Sequence, residues 1–510
     1  MKYLNSGLSV SIGLIQKSIS AKINEAMKNK TLIFFFLLVC MSSCRNDYIP
    51  LSLHPDNTHY FLFRGKPAVL IGSTEHYGAV MNLDFDYIKY LDELSDKGLN
   101  ITRTFSGVYV EPQGAFGIAK NTLAPANSRF ICPWARCDEP GYQGGGNKFD
   151  ITKWDDAYFT RLKNFIAEAG KRNIVVELDL FSNFYDTVQW KLSPLYYINN
   201  INNLEPVSDQ KEVLSLRHPQ LLKLQEEMVR KILSECNGFD NLYYEVCNEP
   251  YFGDIQALDS WEDHMTGIIS NAEYLLPNKH LISHNIQNGS LMVENPHPAV
   301  SLFNFHYANP PVTVEMNYRL NKPIGDNETG FRGVENVNYR TEGWDFMTAG
   351  GALYNNLDYS FTAENEDGSF VVSPGQPGGG GETLRNQLKL LKDVFGELDF
   401  IKMKPVQNYQ QSRFPEKVTV RMLAEEGKQY LIYINNWHPG KDVQRVPEGL
   451  NLTDSEVTVD LPSGNYSFEW IDPVTGQRTR QLLTSHKGGE RTFVAPEFKE
   501  DLVLLINKQR

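Results

Sequence analysis

Between residue 69 and about residue 395, short apolar runs and longer amphipathic runs take turns. The apolar runs are 69–79, 99–107, 174–182, 242–250, 281–288, 301–309, 322–330 and 352–362, each of strand length and rich in β-branched or aromatic residues. Helical periodicity marks Phe85 to Lys97, Trp154 to Lys171, Pro219 to Cys236 and Leu384 to Phe395. Strands alternating with helices predict a parallel sheet, and eight such units predict a closed α/β fold, the (β/α)8 TIM barrel. An open doubly wound sheet is the competitor, but no glycine-rich phosphate turn follows an early strand. The stretches 108–153 and 183–215 read as long loops.

The fourth apolar run, LYYEVCNEP (242–250), ends in a carboxylate and then a proline that cannot continue a ladder. Glu249 is therefore expected at the C-terminal mouth of strand four, the face where barrels of this kind do chemistry. Glu328 closes strand seven within Asp326-Asn327-Glu328-Thr329-Gly330. Glu315, Glu335 and Glu342 lie near it, but only Glu328 ends a strand. Carboxylates on opposing strands of one mouth can approach to about 5 Å, the separation that retaining glycoside hydrolysis requires. Glu245 shares strand parity with Glu249 and is expected as an interior partner for an arginine.

An Asn-Glu-Pro at strand four with a Glu at the end of strand seven resembles glycoside hydrolase clan A, the (β/α)8 group that includes the cellulase-like family five. The resemblance covers roughly residues 60–400. It implies that Glu249 is the acid/base and Glu328 the nucleophile of a two-glutamate double displacement on a β-linked oligo- or polysaccharide. Glu249 is then required protonated and Glu328 ionised. It further implies Arg103 on strand two and Asn248 as donors, and His306 and Tyr307 as sugar- and nucleophile-contacting residues. Their adjacency departs from the His-x-Tyr spacing common in family five, so which of the two faces the site stays open. Strand eight has Tyr359-Ser360-Phe361 where many members place a Trp, which makes Tyr359 the candidate platform.

His76 and Tyr77, after strand one, are candidate substrate contacts or loop packing. Trp134, Trp190 and Trp344 are sugar platforms or core. Asp84-Phe85-Asp86 reads as a helix cap, and the acidic loop Glu364 to Asp367 as solvated charge, with calcium as the other option. The mechanism needs no cofactor and no metal, and no two Cys pairs are spaced for zinc.

From about Asp399, short alternating runs separated by turn clusters predict a small all-β sandwich domain. It resembles the domain named for collagen binding in many secreted bacterial hydrolases, a name that is no evidence of collagen binding. The domains expected are thus a leader (1–44), the barrel (45–398) and the sandwich (399–510).

Lys28 and Lys30 precede the apolar run Leu32 to Met41, which ends in Ser42-Ser43-Cys44. That reads as a secretion signal, with an apolar region too short to span a bilayer. Small residues directly before a cysteine resemble the lipobox of bacterial lipoproteins, which implies a lipid on Cys44, a membrane anchor and an exported location; an ordinary signal peptide is the alternative. Residues 1–26 lie upstream of Met27, which would start such a signal by itself. Cys132 and Cys137 flank a short loop that a disulfide could close, while Cys236 and Cys247 read as buried thiols. The net charge of -13 and a pI near 5.4 argue against nucleic acid as a partner. The rival reading from another class is a barrel without catalysis that serves as a surface glycan-binding lipoprotein. A peptidase is weaker still, since neither His-Glu-x-x-His nor Gly-x-Ser-x-Gly occurs.

Overall fold

The computed structural model describes residues 49–406, 414, 418–437 and 452–509. The leader and Cys44 lie outside the described residues. Among the described residues no helix is long and apolar enough to cross a membrane.

Eight parallel strands make one sheet: β1 (Leu70–Thr74), β2 (Ile101–Phe105), β3 (Val175–Ser182), β4 (Leu242–Asn248), β5 (Ile282–Asn288), β6 (Leu302–His306), β7 (Ile324–Glu328) and β8 (Leu353–Leu357). Each neighbours the next in chain order from β2 to β8, and β8 returns to pair with β1. This is the barrel that the alternation predicts. The seam between β1 and β2 has no strand ladder, and the Asn100 side chain spans it. Its Oδ1 accepts from the Ile71 N–H at 2.9 Å and its Nδ2 donates to the Val69 carbonyl at 2.9 Å. A carboxamide can do this because it carries the same donor and acceptor as a peptide unit.

The helices are α1 (Tyr87–Asp96), α2 (Asp156–Lys171), α3 (Thr187–Leu192), α4 (Pro219–Cys236), α5 (Ile255–Tyr274), α6 (Val312–Asn317), α7 (Asn336–Thr348) and α8 (Glu382–Gly396). Local chemistry sets their starts. Asp86 caps α1 by accepting from the Ile88 N–H, as a cap residue should. Asp155 and Asp254 do the same for α2 and α5, and α4 opens with Pro219, whose missing N–H costs nothing there.

The expected loop 108–153 contains a hairpin, Trp134–Pro140 against Asn147–Trp154. Its first strand, WARCDEP, carries three charges and no apolar alternation, so periodicity gives it no signal. Cys132 and Cys137 are free thiols and form no disulfide; Cys236 and Cys247 are buried and free. Trp134, Trp190 and Trp344 are all buried, so they are core rather than sugar platforms. Two members of the acidic loop are ion-paired, Glu364 with Lys120 and Glu366 with Lys89.

Beyond the barrel come β9 (Thr419–Glu425), β10 (Gln429–Asn435), β11 (Glu456–Leu461), β12 (Gly464–Ile471), β13 (Arg478–His486), β14 (Gly489–Val494) and β15 (Asp501–Lys508). Lys404–Pro405 joins β9, β10, β15, β12 and β13 in one antiparallel sheet, and β11 pairs with β14 in a second. The two sheets face each other across a shared apolar core, with Phe468 on Phe493 at 4.9 Å. That is the predicted sandwich. The other face of the larger sheet packs on the barrel through Leu431, Tyr433, Val503 and Leu505. Tyr433 stacks on Trp344 at 5.8 Å, and Arg340 pairs with Asp501 at 2.8 Å and Glu500 at 2.6 Å. Every residue of α7 from Val337 to Thr348 is buried as a result, although its sequence is largely polar.

Candidate active site

The barrel interior is polar, and Arg103 of β2 organises it. Its Nε donates to Glu177 at 3.1 Å and Asp179 at 3.0 Å, and its Nη2 to Glu245 at 2.5 Å. Nη2 also reaches Asn248 Oδ1 at 2.9 Å, while Nη1 reaches Glu328 Oε2 at 3.1 Å. Glu245 is thus the interior partner that strand parity predicts. One guanidinium cannot neutralise every carboxyl around it. Burial pushes Glu177 and Asp179 well above the ordinary carboxyl range, whereas at Glu245 burial is outweighed by Arg103 and the group sits below it. Glu177, Asp179 and Glu245 lie close enough to hold a metal, but they already enclose this cation.

Above that layer the strand ends present two more glutamates. Glu249 and Glu328, with His306, place ligand atoms within 4.8 Å of one another. Two backbone devices bring these neighbours in. Glu249 has φ +51° and Tyr307 has φ +52°, values that L residues rarely adopt and that are typical of functional sites. In β7 the pairing slips between Phe305/Asp326 and His306/Glu328, so two residues of one strand oppose one of the other. That bulge turns the successive residues Asn327 and Glu328 inward, Asn327 donating to Glu177 at 2.6 Å and Glu328 entering the mouth.

Glu328 accepts from Tyr77 at 2.9 Å, Tyr307 at 2.9 Å and Arg103. Glu249 accepts from Tyr185 at 2.6 Å and Tyr251 at 3.0 Å, and lies 3.0 Å from His306 Nδ1. The same Nδ1 is 3.5 Å from Glu328, so His306 stands between the two acids. Both His306 and Tyr307 therefore face the site. Their adjacency is no obstacle because the φ of Tyr307 reverses its side chain. Burial raises the Glu249 carboxyl, but His306 and the two tyrosine hydroxyls outweigh it and hold it below the ordinary glutamate range. The donors around Glu249 thus favour its anion. Asn248 orients the pair, bridging Arg103 to Tyr185 and Ser182.

Of the remaining candidates, His76 lines the cleft and lies 3.3 Å from Glu111, whose charge overcomes burial and raises the imidazole above its ordinary value. Tyr359 stands behind the wall, 6.1 Å from the His76 ring and 6.2 Å from Phe331. Glu342 is on α7, paired with Arg332 at 3.1 Å behind β7. Residues that sequence reasoning missed are Tyr185, Tyr251, Glu111 and Asn285, whose Oδ1 accepts from the Glu249 N–H at 2.9 Å. Tyr251, two residues beyond Glu249, and Asn285, within the fifth apolar run, carried a positional signal; Tyr185 and Glu111 did not. The cleft itself is about 330 Å³.

No family profile matches the sequence, and no curated protein matches it. Solved structures do. A Bacteroides vulgatus protein provisionally described as a glycoside hydrolase superposes with TM-score 0.64 at 13% identity, over 92% of this chain and 84% of that one. A family 5 glycoside hydrolase from Bacteroides vulgatus superposes with TM-score 0.59 at 12% identity, over 90% of this chain and 95% of that one. The barrel has the fold of family 5 glycoside hydrolases. A further glycoside hydrolase, at TM-score 0.59 and 12% identity, matches over 90% of this chain and 98% of its own. In each case the likeness spans nine-tenths or more of this chain.

Proposed function

We propose that the protein is a retaining glycoside hydrolase that cleaves β-linked oligo- or polysaccharide. The observation that carries this is the facing of two buried carboxylates within 4.8 Å, the separation of a double displacement and too short to seat a water between them. Glu328 is the nucleophile: Arg103, Tyr77 and Tyr307 each donate to it, which suits an anion. Its carboxylate oxygen bonds to the anomeric carbon as the C–O bond to the leaving group breaks, and Glu249 delivers its proton to the departing oxygen. Water then attacks the same carbon, gives its proton to Glu249, and Glu328 leaves. Glu249 is held as an anion before substrate arrives. A glycosidic oxygen only accepts hydrogen bonds, so its approach favours the protonated acid, and the proton is taken up with the sugar. Arg103 and Asn248 position the pair, and His306 and Tyr307 serve the sugar and the nucleophile.

We also read the chain as exported and held at a membrane by lipid on Cys44, on the strength of the Leu32–Met41 run and Ser42-Ser43-Cys44. The C-terminal sandwich is assigned a buttressing role at α7 and no ligand. Against a purely glycan-binding barrel stands the retention of both acids in hydrogen-bonded register. Turnover of aryl and natural β-glycosides by the Glu328→Gln variant tests the assignment: loss is expected, and wild-type-like rates would remove it.

A further inference from the structure

The cleft is bridged by aromatic side chains from the loops around it. The segment 111–123 after β2 passes over it and brings Phe116 against Phe331, which follows β7, at 6.3 Å between ring centroids. Phe116 also meets Tyr185 at 5.4 Å, and Phe331 meets Tyr307 at 6.5 Å, so aromatic rings join across the mouth. The roof is fastened. The Glu111 N–H donates to the Leu123 carbonyl at 3.0 Å, and the Ala119 N–H donates to Gln376 Oε1 at 2.9 Å. Lys120 pairs with Glu364 and lies over the Phe370 ring. The contacts of Ala119 and Lys120 tie the roof to the segment after β8. Phe116 is held at φ +56° and is nonetheless 44% exposed, as Phe331 is 39% exposed, which places their outer faces in solvent rather than in the core.

The two ends of the cleft differ chemically. On the Glu328 side lies His76, which feels the Glu328 charge and is paired with Glu111 at 3.3 Å, beneath that roof. On the Glu249 side lie Phe252 and Asn288, and both residues also line a neighbouring cavity of about 540 Å³ that runs on past Tyr251 and Met292. The sugar that the nucleophile attacks must sit on the Glu328 side, and the group protonated by Glu249 leaves on the other.

Resting on the hydrolase reading above, we infer that the enzyme is exo-acting and releases one neutral sugar at a time from the non-reducing end. The roof blocks any further sugar beyond the first, while the remainder of the chain leaves through the Phe252 and Asn288 side. A cleft of about 330 Å³ suits one pyranose ring and its shell of contacts. Neutrality follows from charge. Glu111, Glu249 and Glu328 all line the cleft, and no Lys or Arg is among its lining residues. A uronate there would meet three acids, against which the lining offers only the His76 imidazole, already paired with Glu111 at 3.3 Å, and like-charge juxtaposition is costly in a desolvated site.

The test combines end-labelled β-linked gluco-, manno- and xylo-hexaoses with p-nitrophenyl β-hexosides and β-glucuronide. Wild-type enzyme is expected to release monosaccharide as the sole small product while the labelled chain shortens stepwise. Its kcat/KM on the glucuronide should fall below that on the best hexoside by about 100-fold or more. The Phe116→Ala/Phe331→Ala double variant, whose solvent-facing rings can be truncated with its melting temperature checked in parallel, is expected to release disaccharide as well. Internal fragments from the wild-type enzyme at early conversion, or efficient glucuronide turnover, would overturn the inference while leaving the hydrolase reading standing. Absence of turnover on every substrate, with no label on Glu328 from 2-deoxy-2-fluoro glycosides, would remove the hydrolase reading and this inference with it.

Discussion

Replacing Tyr185 with Phe deletes one hydroxyl and leaves the ring in place, which isolates its effect on the acid/base. That hydroxyl donates to Glu249 Oε2 at 2.6 Å, alongside Tyr251 at 3.0 Å and His306 at 3.0 Å. Burial raises the carboxyl and these donors lower it, so losing one must raise it. A hydrogen bond to a charged group contributes about 1.5 to 3 kcal/mol, and 1.36 kcal/mol corresponds to one pKa unit, so the shift is about one to two units upward. Since Tyr251 and His306 remain to compensate, the lower figure is expected. The acid must be protonated to work, so activity is lost as pH rises through its pKa, and a raised pKa extends activity to higher pH. The assay is kcat/KM against pH on an alkyl β-glycoside, whose poor leaving group makes proton donation felt. The basic limb should move up by about one pH unit. An unmoved or lowered basic limb would refute the reasoning. Asn248 donates to the same hydroxyl at 3.1 Å but keeps its bond to Ser182 at 3.1 Å, which limits secondary rearrangement.

The other predictions concern the nucleophile, the seam, the sandwich and a buried acid. Glu328→Gly should lose turnover on the order of 10⁶-fold, and azide should restore it by forming a glycosyl azide, read by mass spectrometry. Asn100→Ala leaves the Ile71 N–H and the Val69 carbonyl unpaired at the β1–β2 seam, and urea unfolding should register a loss of about 2 to 4 kcal/mol. Arg340→Ala strands Asp501 beneath the sandwich and should cost about 3 to 5 kcal/mol in the same assay. Glu75 is buried and raised to about 7, so the penalty on its ionisation is absent at pH 4, builds as pH rises from the ordinary glutamate range to about 7, and is complete above it. Relative to wild type, Glu75→Gln should therefore gain about 3 kcal/mol of stability between pH 4 and pH 8, and a flat difference would contradict the assignment.

The eight strands were legible because each is a short apolar run with polar punctuation, and α4 was legible to the residue because its period is unbroken from Pro219 to Cys236. Glu249, Glu328, Arg103 and Asn248 were legible because each sits on or at the end of such a strand. Of the hydroxyls that tune the acids, Tyr77 stands out in the sequence only as a substrate contact or loop packing after strand one, and Tyr185 gives no signal, since it comes from a loop whose path no periodicity encodes. Nor was the joint use of His306 and Tyr307 legible, since it depends on a left-handed φ at Tyr307 that no residue type announces. Two misses have tertiary causes. Strand β13, RTRQLLTSH, is an exposed edge strand with no buried face to pattern. Helix α7 is polar yet buried because the sandwich covers it, and Arg340 finds its partners 160 residues along the chain.

The most direct measurement is proton NMR of the first sugar formed from a β-glycoside, recorded before mutarotation. Attack by Glu328 followed by attack of water inverts the anomeric centre twice, so the β-anomer is predicted to appear first. Initial appearance of the α-anomer would mean a single displacement, and Glu328 would not be the nucleophile.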